Sequence, residues 1–254
     1  MRAIIAAPSF VWPEHIAGNC LRLCEHVDEV GLLFLESQTC LAYTDHDLPK
    51  FLGETGLRFH VHLPLDLPWC EGPERVWQVI WGLQKKAAFL NPWGVVLHPP
   101  SMVGIRSLQE EVIDPLASVA DQWLQSGAQA ESLLLENTRE NDLIALWPLI
   151  QALKLGICLD LGHLLAYGQG MHNIPGVWPH VRMVHLSAPG PHGEHFSLRK
   201  LDDRGFALMQ EILRQIDPGC VLMVEVFDPK DFLESLHILL ALIGSENDHP
   251  DSRR

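Results

Sequence analysis

The residues best able to do chemistry in this chain stand at the ends of short apolar runs. Phe59-His-Val-His62 closes on two imidazoles, Val95-Val-Leu-His98 on one, and Leu133-Leu-Leu-Glu136 on a carboxylate. Gly156-Ile-Cys-Leu-Asp160 runs straight into Leu-Gly-His163. Met183-Val-His185 is followed by His192 and His195, and Val221-Leu-Met-Val-Glu225 ends on a second glutamate. A carboxylate closing an apolar run is costly to bury without a partner or a cation. Gathered at one place, these groups would desolvate and repel one another unless cations sat among them. Imidazole with carboxylate suits a divalent transition-metal ion: zinc, with manganese or iron as alternatives. No cysteine ends any of these runs, so a structural thiolate site is not expected.

The elements that must position these groups repeat along the chain. Runs of strand length lie at Ala3–Ala7, Gly31–Glu36, Leu57–Leu63, Gly94–His98, Ser132–Glu136, Gly156–Asp160, Arg182–Leu186 and Val221–Val226. Helix-length segments separate and follow them at Glu14–Val27, Asp45–Glu54, Pro73–Leu90, Ser107–Gln125, Asn141–Leu153, Leu161–Gly168, Asp203–Ile216 and Pro229–Ile243. Pro73 suits a first helical turn, Gly127 a stop and Asn141 an N-cap. The strand runs are continuously apolar, as expected of a parallel sheet covered on both faces. Eight βα units of about 32 residues predict an α/β chain folded as one (β/α)8 TIM barrel. A doubly wound open sheet is the competing topology, but no Gly-x-Gly-x-x-Gly follows the first run, which continues Pro8-Ser-Phe-Val-Trp12. In such a barrel the run ends all face the C-terminal rim, where active sites are built.

Local geometry refines the candidates. Side chains alternate along a strand, so His60 and His62 share a face, with His62 nearer the rim and His60 one layer deeper. Asp160 reads equally as a metal ligand or as the N-cap of the next helix, with Gly162 allowing a sharp turn back to His163. Glu36 suits a substrate contact or a rim salt bridge. His15, His26, His46, His172, His180, His237 and His249 read as surface. Trp69, Trp93, Trp178 and Tyr167 read as packing residues.

Composition narrows the function classes. The chain has 254 residues, 18 Lys+Arg, 32 Asp+Glu and a formal charge of −14, with 14 His against 2 Tyr. Strong negative charge and the lack of a Lys/Arg run argue against a duplex nucleic-acid partner. The longest apolar stretch is about half a membrane span, and the N-terminus carries no signal-peptide pattern. Six cysteines without CxxC spacing indicate a reduced, cytoplasmic protein. Cys20 and Cys24 share a helix face and read as packing residues rather than a metal clip. The expected organisation is a barrel over residues 1–243 and a polar, frayed tail over 244–254.

Glu136, Asp160-Leu-Gly-His163, His185-Leu-Ser187 and Glu225, with His62 and His98 upstream, resemble the xylose isomerase-like TIM barrels, a superfamily that includes AP endonuclease family 2. The resemblance implies up to three zinc ions: one on His62, His98 and a bridging Glu136; a second on Asp160, His185 and Glu225; a third on His163 and His195. The third would need an aspartate two residues before the last histidine, where this chain has Gly193, with Glu194 or His192 as substitutes. One to three ions are therefore expected. Phe59-His-Val-His-Leu-Pro-Leu-Asp-Leu-Pro-Trp69, Val96-Leu-His-Pro-Pro100 and His195-Phe-Ser-Leu198 are further similar to cobamide-remodelling phosphodiesterases. That implies hydrolysis of the nucleotide-loop phosphodiester of a corrinoid by metal-activated water, with Glu136 and Glu225 catalytic. The alternative is a sugar isomerase or epimerase with a single ion on Glu136, Asp160, His185 and Glu225. A DNA repair nuclease fits the chemistry but not the charge, and a non-enzymatic metal-binding barrel would use the same ligands.

Overall fold

A computed structural model describes residues 3–191 and 193–247. Eight parallel strands close a barrel: β1 (Ile4–Pro8), β2 (Glu29–Leu33), β3 (Arg58–His62), β4 (Val95–Leu97), β5 (Leu133–Glu136), β6 (Gly156–Asp160), β7 (Val181–Leu186) and β10 (Val221–Val224). Around the barrel their order is β1-β10-β7-β6-β5-β4-β3-β2. Two further short strands, β8 (Ala188–Pro189) and β9 (His195–Phe196), form an antiparallel ribbon above β7. The (β/α)8 expectation holds over the whole described chain.

The strands form because Val, Ile and Leu suit a pleated surface covered on both sides. Along β6, Ile157 and Leu159 join the large apolar layer beneath the helices, whereas Cys158 belongs to a small set lining the barrel with Ala6, Leu33, Val96, Leu134, Met183, Val221 and Met223. The helices bury one stripe each. In α3 (Pro73–Ala87) the stripe is Val76, Val79, Ile80, Leu83 and Ala87, and Pro73 occupies the first turn as expected. After α4 (Asp114–Gln125), Gly127 stops the chain at φ +88°, a conformation glycine adopts without steric cost.

Several boundaries differ from the sequence expectation. Strand β2 starts at Glu29 and ends at Leu33, so Glu36 lies beyond it, preceding the short helix α2 (Ser37–Leu41). The segment 45–54 holds only a 3-10 turn, Lys50–Glu54, because Thr44 and Asp47 close a turn on each other and Pro49 precedes it. Asn141 is not a helix cap. It bridges to Thr138, and its side chain accepts from Leu143 N, so the helix α5 starts only at Trp147 and ends at Leu153. The final helix α8 (Pro229–Asn247) continues past residue 243, and positions 248–254 of the expected tail lie outside the described residues. No helix among the described residues is long and apolar enough to cross a membrane.

Candidate metal centre

Six strand ends bring imidazoles and carboxylates to one mouth of the barrel. His62 ends β3, Glu136 ends β5, Asp160 ends β6 and His185 lies within β7, while His98 and Glu225 stand one residue beyond β4 and β10. Pairing places Glu136 beside Cys158 and Asp160 beside His185. Glu136, Asp160, His185 and Glu225 are all buried, and one donor atom from each lies within 4.8 Å of the others. A second group of the same kind joins His62, His98 and Glu136.

Glu136 is common to both groups and divides its oxygens between them. Its Oε2 lies 3.0 Å from His62 Nε2 and 3.1 Å from His98 Nε2. Its Oε1 faces His185 Nδ1 at 3.4 Å. On the other side, His185 Nδ1 is 3.1 Å from Glu225 Oε2 and 3.9 Å from Asp160 Oδ2. His62 and His98 hydrogen-bond Glu136 Oε2, whereas the approaches of His185 are close but not aligned as hydrogen bonds. Asp160 Oδ2, Glu225 Oε2 and both nitrogens of His185 are buried with no hydrogen-bond partner. Buried polar atoms are otherwise almost always paired. Three of these, Asp160 Oδ2, Glu225 Oε2 and His185 Nδ1, converge on one space and fit a cation there, and the donor set of imidazole and carboxylate suits a transition-metal ion.

The surrounding contacts fix which atoms face that space. His62 Nδ1 lies 3.0 Å from the Leu63 carbonyl and donates to it, leaving Nε2 as a lone-pair donor. His163 Nδ1 likewise donates to the Asn137 carbonyl at 2.7 Å, leaving Nε2 for a ligand. Asn137 does more: its side chain accepts from Asp160 N and donates to the Asp160 carbonyl, tying β5 to β6. Asp160 takes the N-cap role with one oxygen and keeps the other for the cluster. Its Oδ1 caps α6 (Leu161–Tyr167) through His163 N at 2.6 Å, and its Oδ2 remains free toward the cluster. Gly162 lies inside that helix rather than at a sharp turn. It is required because a Cβ would stand 2.8 Å from Ser187 Oγ.

Charge balance follows from these contacts. Burial pushes the Asp160 carboxyl up to about 6; His163 opposes this, and Glu225 and Glu136 add to it. Burial also disfavours ionised Glu136, but His98 and His185 hold its carboxyl well below the usual range. Glu225 is held down in the same way by His185 and His195. Burial lowers His185, but Cys158, Glu225 and Glu136 outweigh it and keep the imidazole well above its ordinary range.

The two remaining histidines sit at the edge. His163 is 4.0 Å from Glu136 Oε1 and 3.6 Å from Asp160 Oδ1, and His195 is 3.4 Å from Glu225 Oε2 and 3.2 Å from Ser187 Oγ. Their rings are 6.1 Å apart. Among the described residues neither joins a group of three ligand atoms. Gly193 has no donor, Glu194 folds back against Gly190, and His192 lies outside the described residues. Aromatic rings flank the pair: Tyr167 on His163 at 5.7 Å and Phe227 on His195 at 5.3 Å.

Other candidates stay outside the cluster. His60 is buried one layer down and turns its Nδ1 to Glu29 Oε1 at 2.7 Å. Glu36 is exposed and accepts from Thr39. Asp66, in the loop beside Trp69, is spent on Ser37. Among the histidines expected at the surface, His172 and His180 are half-buried, and His180 hydrogen-bonds the Leu155 carbonyl. Sequence reasoning missed Asn137 and Cys158. For Cys158 a signal was present, since it stands two residues before Asp160 and so shares its strand face.

At the level of sequence, no family model and no curated protein matches the chain. Solved structures do. The chain is similar to a D-tagatose 3-epimerase-like protein, with 19% identity over 96% of this chain and 98% of the other and a TM-score of 0.72. It is similar to endonuclease IV from Thermus thermophilus, with 19% identity over 95% and 99% and a TM-score of 0.67. It also matches the IolI protein with a bound zinc atom, with 13% identity over 95% and 98% and a TM-score of 0.66. These likenesses span nearly the whole chain and show its fold, a single (β/α)8 TIM barrel.

Proposed function

We propose that the protein is a divalent-metal-dependent phosphodiesterase that holds two ions across Glu136 and acts on a small-molecule phosphodiester. The observation that carries this reading is the division of Glu136: one oxygen faces His62 and His98, the other faces the set of Asp160, His185 and Glu225. In a one-ion site His62 and His98 would serve only to hold and orient Glu136. Bound ions would supply a water nucleophile at neutral pH and positive charge on phosphoryl oxygens. Glu136 and Glu225 are kept ionised by the imidazoles beside them, so each can accept a proton or hold a hydrogen-bonded water. His163 and His195 border the mouth beside Tyr167 and Phe227 and would receive the substrate's phosphoryl oxygens. A charge of −14 disfavours duplex DNA and leaves a small diester, with the corrinoid nucleotide loop as the substrate the sequence motifs suggest. Six unpaired cysteines fit a reduced, cytoplasmic setting.

A second reading rests on a different feature. Glu136, Asp160, His185 and Glu225 alone make a complete four-ligand set, and two glutamates beside one ion could move protons next to a sugar carbonyl. The comparisons favour this reading over the first, since the chain is similar to a D-tagatose 3-epimerase-like protein and to a 3-keto-D-glucoside 4-epimerase, with endonuclease IV also among the similar structures. Elemental analysis and paired assays separate the two. The phosphodiesterase should carry two divalent ions per chain and release cobinamide phosphate and a nucleoside fragment from a complete cobamide. One ion per chain, an intact cobamide and turnover of a ketose would establish the epimerase instead.

A further inference from the structure

One polar group beneath the cluster is used by neither reading. Cys158 lies in the middle of β6, fully buried, on the strand face that carries Asp160. Its Sγ, one nitrogen of His185 and one oxygen of Glu136 lie within 4.8 Å of one another. His185 is itself fully buried, and neither of its ring nitrogens has a hydrogen-bond partner. Across the sheet, Cys158 is registered directly against Glu136.

The plain explanation is packing, since Cys158 also touches the small apolar set lining the barrel and a buried free cysteine behaves as a small hydrophobe. Packing accounts for the size of the side chain but not for its neighbours. An alanine or valine there would fill space equally well and would present no donor atom to an unpartnered imidazole and a carboxylate. Resting on the metal-centre reading above, we propose that Cys158 is a sulfur ligand of the cation shared by Glu136 and His185. Zinc binds sulfur at about 2.3 Å and nitrogen or carboxylate oxygen at about 2.0–2.2 Å, so the three donor atoms would draw in around one ion by a side-chain adjustment on the order of 1 Å. The thiol proton leaves to solvent as the sulfur–metal bond forms. A thiolate in the set shifts preference toward zinc, cobalt(II) or iron(II) and away from manganese and magnesium, which favour all-oxygen surroundings.

Cobalt(II) titration of the metal-free full chain tests this without any activity assay. The wild type should show cobalt d–d bands together with a near-ultraviolet sulfur-to-cobalt charge-transfer band. Cys158→Ser should lose the charge-transfer band, keep the d–d bands, and bind zinc at least about tenfold more weakly. Cys158→Ala, which preserves an apolar lining, should behave the same way. Cobalt uptake by the wild type without the charge-transfer band, or a band that persists in Cys158→Ser, overturns the sulfur ligand and leaves the metal centre standing. Failure of the wild type to bind cobalt or zinc at all overturns the metal centre and the ligand together.

Discussion

Two buried histidine–glutamate sets occupy opposite ends of one barrel, and they differ in how their atoms are used. At the N-terminal end, Glu29 Oε1 accepts from His60 Nδ1 and from Trp93 Nε1, each at 2.7 Å, and Arg58 Nε lies 3.4 Å from Oε2. Gly31 leaves room for the imidazole, because a Cβ there would run into His60. Two atoms of that set make no hydrogen bond, Glu29 Oε2, which keeps its ion pair to Arg58, and His60 Nε2, and the two do not face a common space with other donors. At the C-terminal end the same residue types leave Asp160, His185 and Glu225 with buried atoms that bond to nothing in the protein. Burial of histidine beside glutamate therefore does not mark a site. Convergence of several unpaired donors does, because their desolvation is offset only by something the chain does not itself contain.

Substitutions should separate the two ends, beginning with the largest effect. Glu136→Gln should lower phosphodiesterase activity by about a thousandfold or more and reduce bound metal, because both ligand groups lose their shared carboxylate. Near-normal turnover with full metal content would remove Glu136 from the centre. Asn137→Ala should cost about 10–100-fold in metal affinity, since it frees Asp160 and the backbone that orients His163. Isothermal titration of zinc measures this, and an unchanged affinity would show that the strand ends hold without it. Glu29→Ala should leave metal content and turnover unchanged while lowering stability by about 2–5 kcal/mol, because His60 and Trp93 lose their acceptor. Denaturant unfolding reads that cost, and loss of metal in this variant would mean the two ends are not independent.

The pH response gives the smallest but most specific contrast. In metal-free protein, burial pulls His62, His163 and His185 down, yet neighbouring groups outweigh it, carboxylates for His62 and His163 and Cys158 with Glu225 and Glu136 for His185, and raise all three above 6.5. A group raised on folding contributes stability that is complete below its unfolded value and is lost as pH climbs through the folded one. His60 is lowered from 6.5 by burial, against the pull of Glu29. Its contribution is present above 6.5 and fades as pH falls. Thermal unfolding of the metal-free protein across pH should therefore respond on the alkaline side to His185→Asn and on the acid side to His60→Asn. If both substitutions change the same side, the contrast between the ends fails.

Much of this arrangement is legible in the sequence. Continuous apolar runs located the barrel strands, and their last residues included nearly every group of the cluster. The expected strand Gly31–Glu36 starts two residues late and ends three residues late, because Glu29 reads as a loop residue. It becomes a strand residue only when His60, Trp93 and Arg58 surround it. The expected helix over 45–54 gave way to a side-chain-closed turn, since Asp47 competes for the backbone at Thr44. The short ribbon carrying His195 has too few residues to leave a periodic signal.

By itself the sequence determined the repeat of strand and helix, the identity of the donors and the rim on which they stand. Those features follow from hydrophobic period and from alternation along each strand, both local properties of the chain. The tertiary structure decided how the donors are shared. Which glutamate oxygen faces which imidazole, that Cys158 sits beside Glu136 and His185, and that His163 and His195 lack a third donor among the described residues all depend on strand registry around a closed barrel. Closure fixes the stagger between strands far apart in the chain, and no local pattern encodes that stagger.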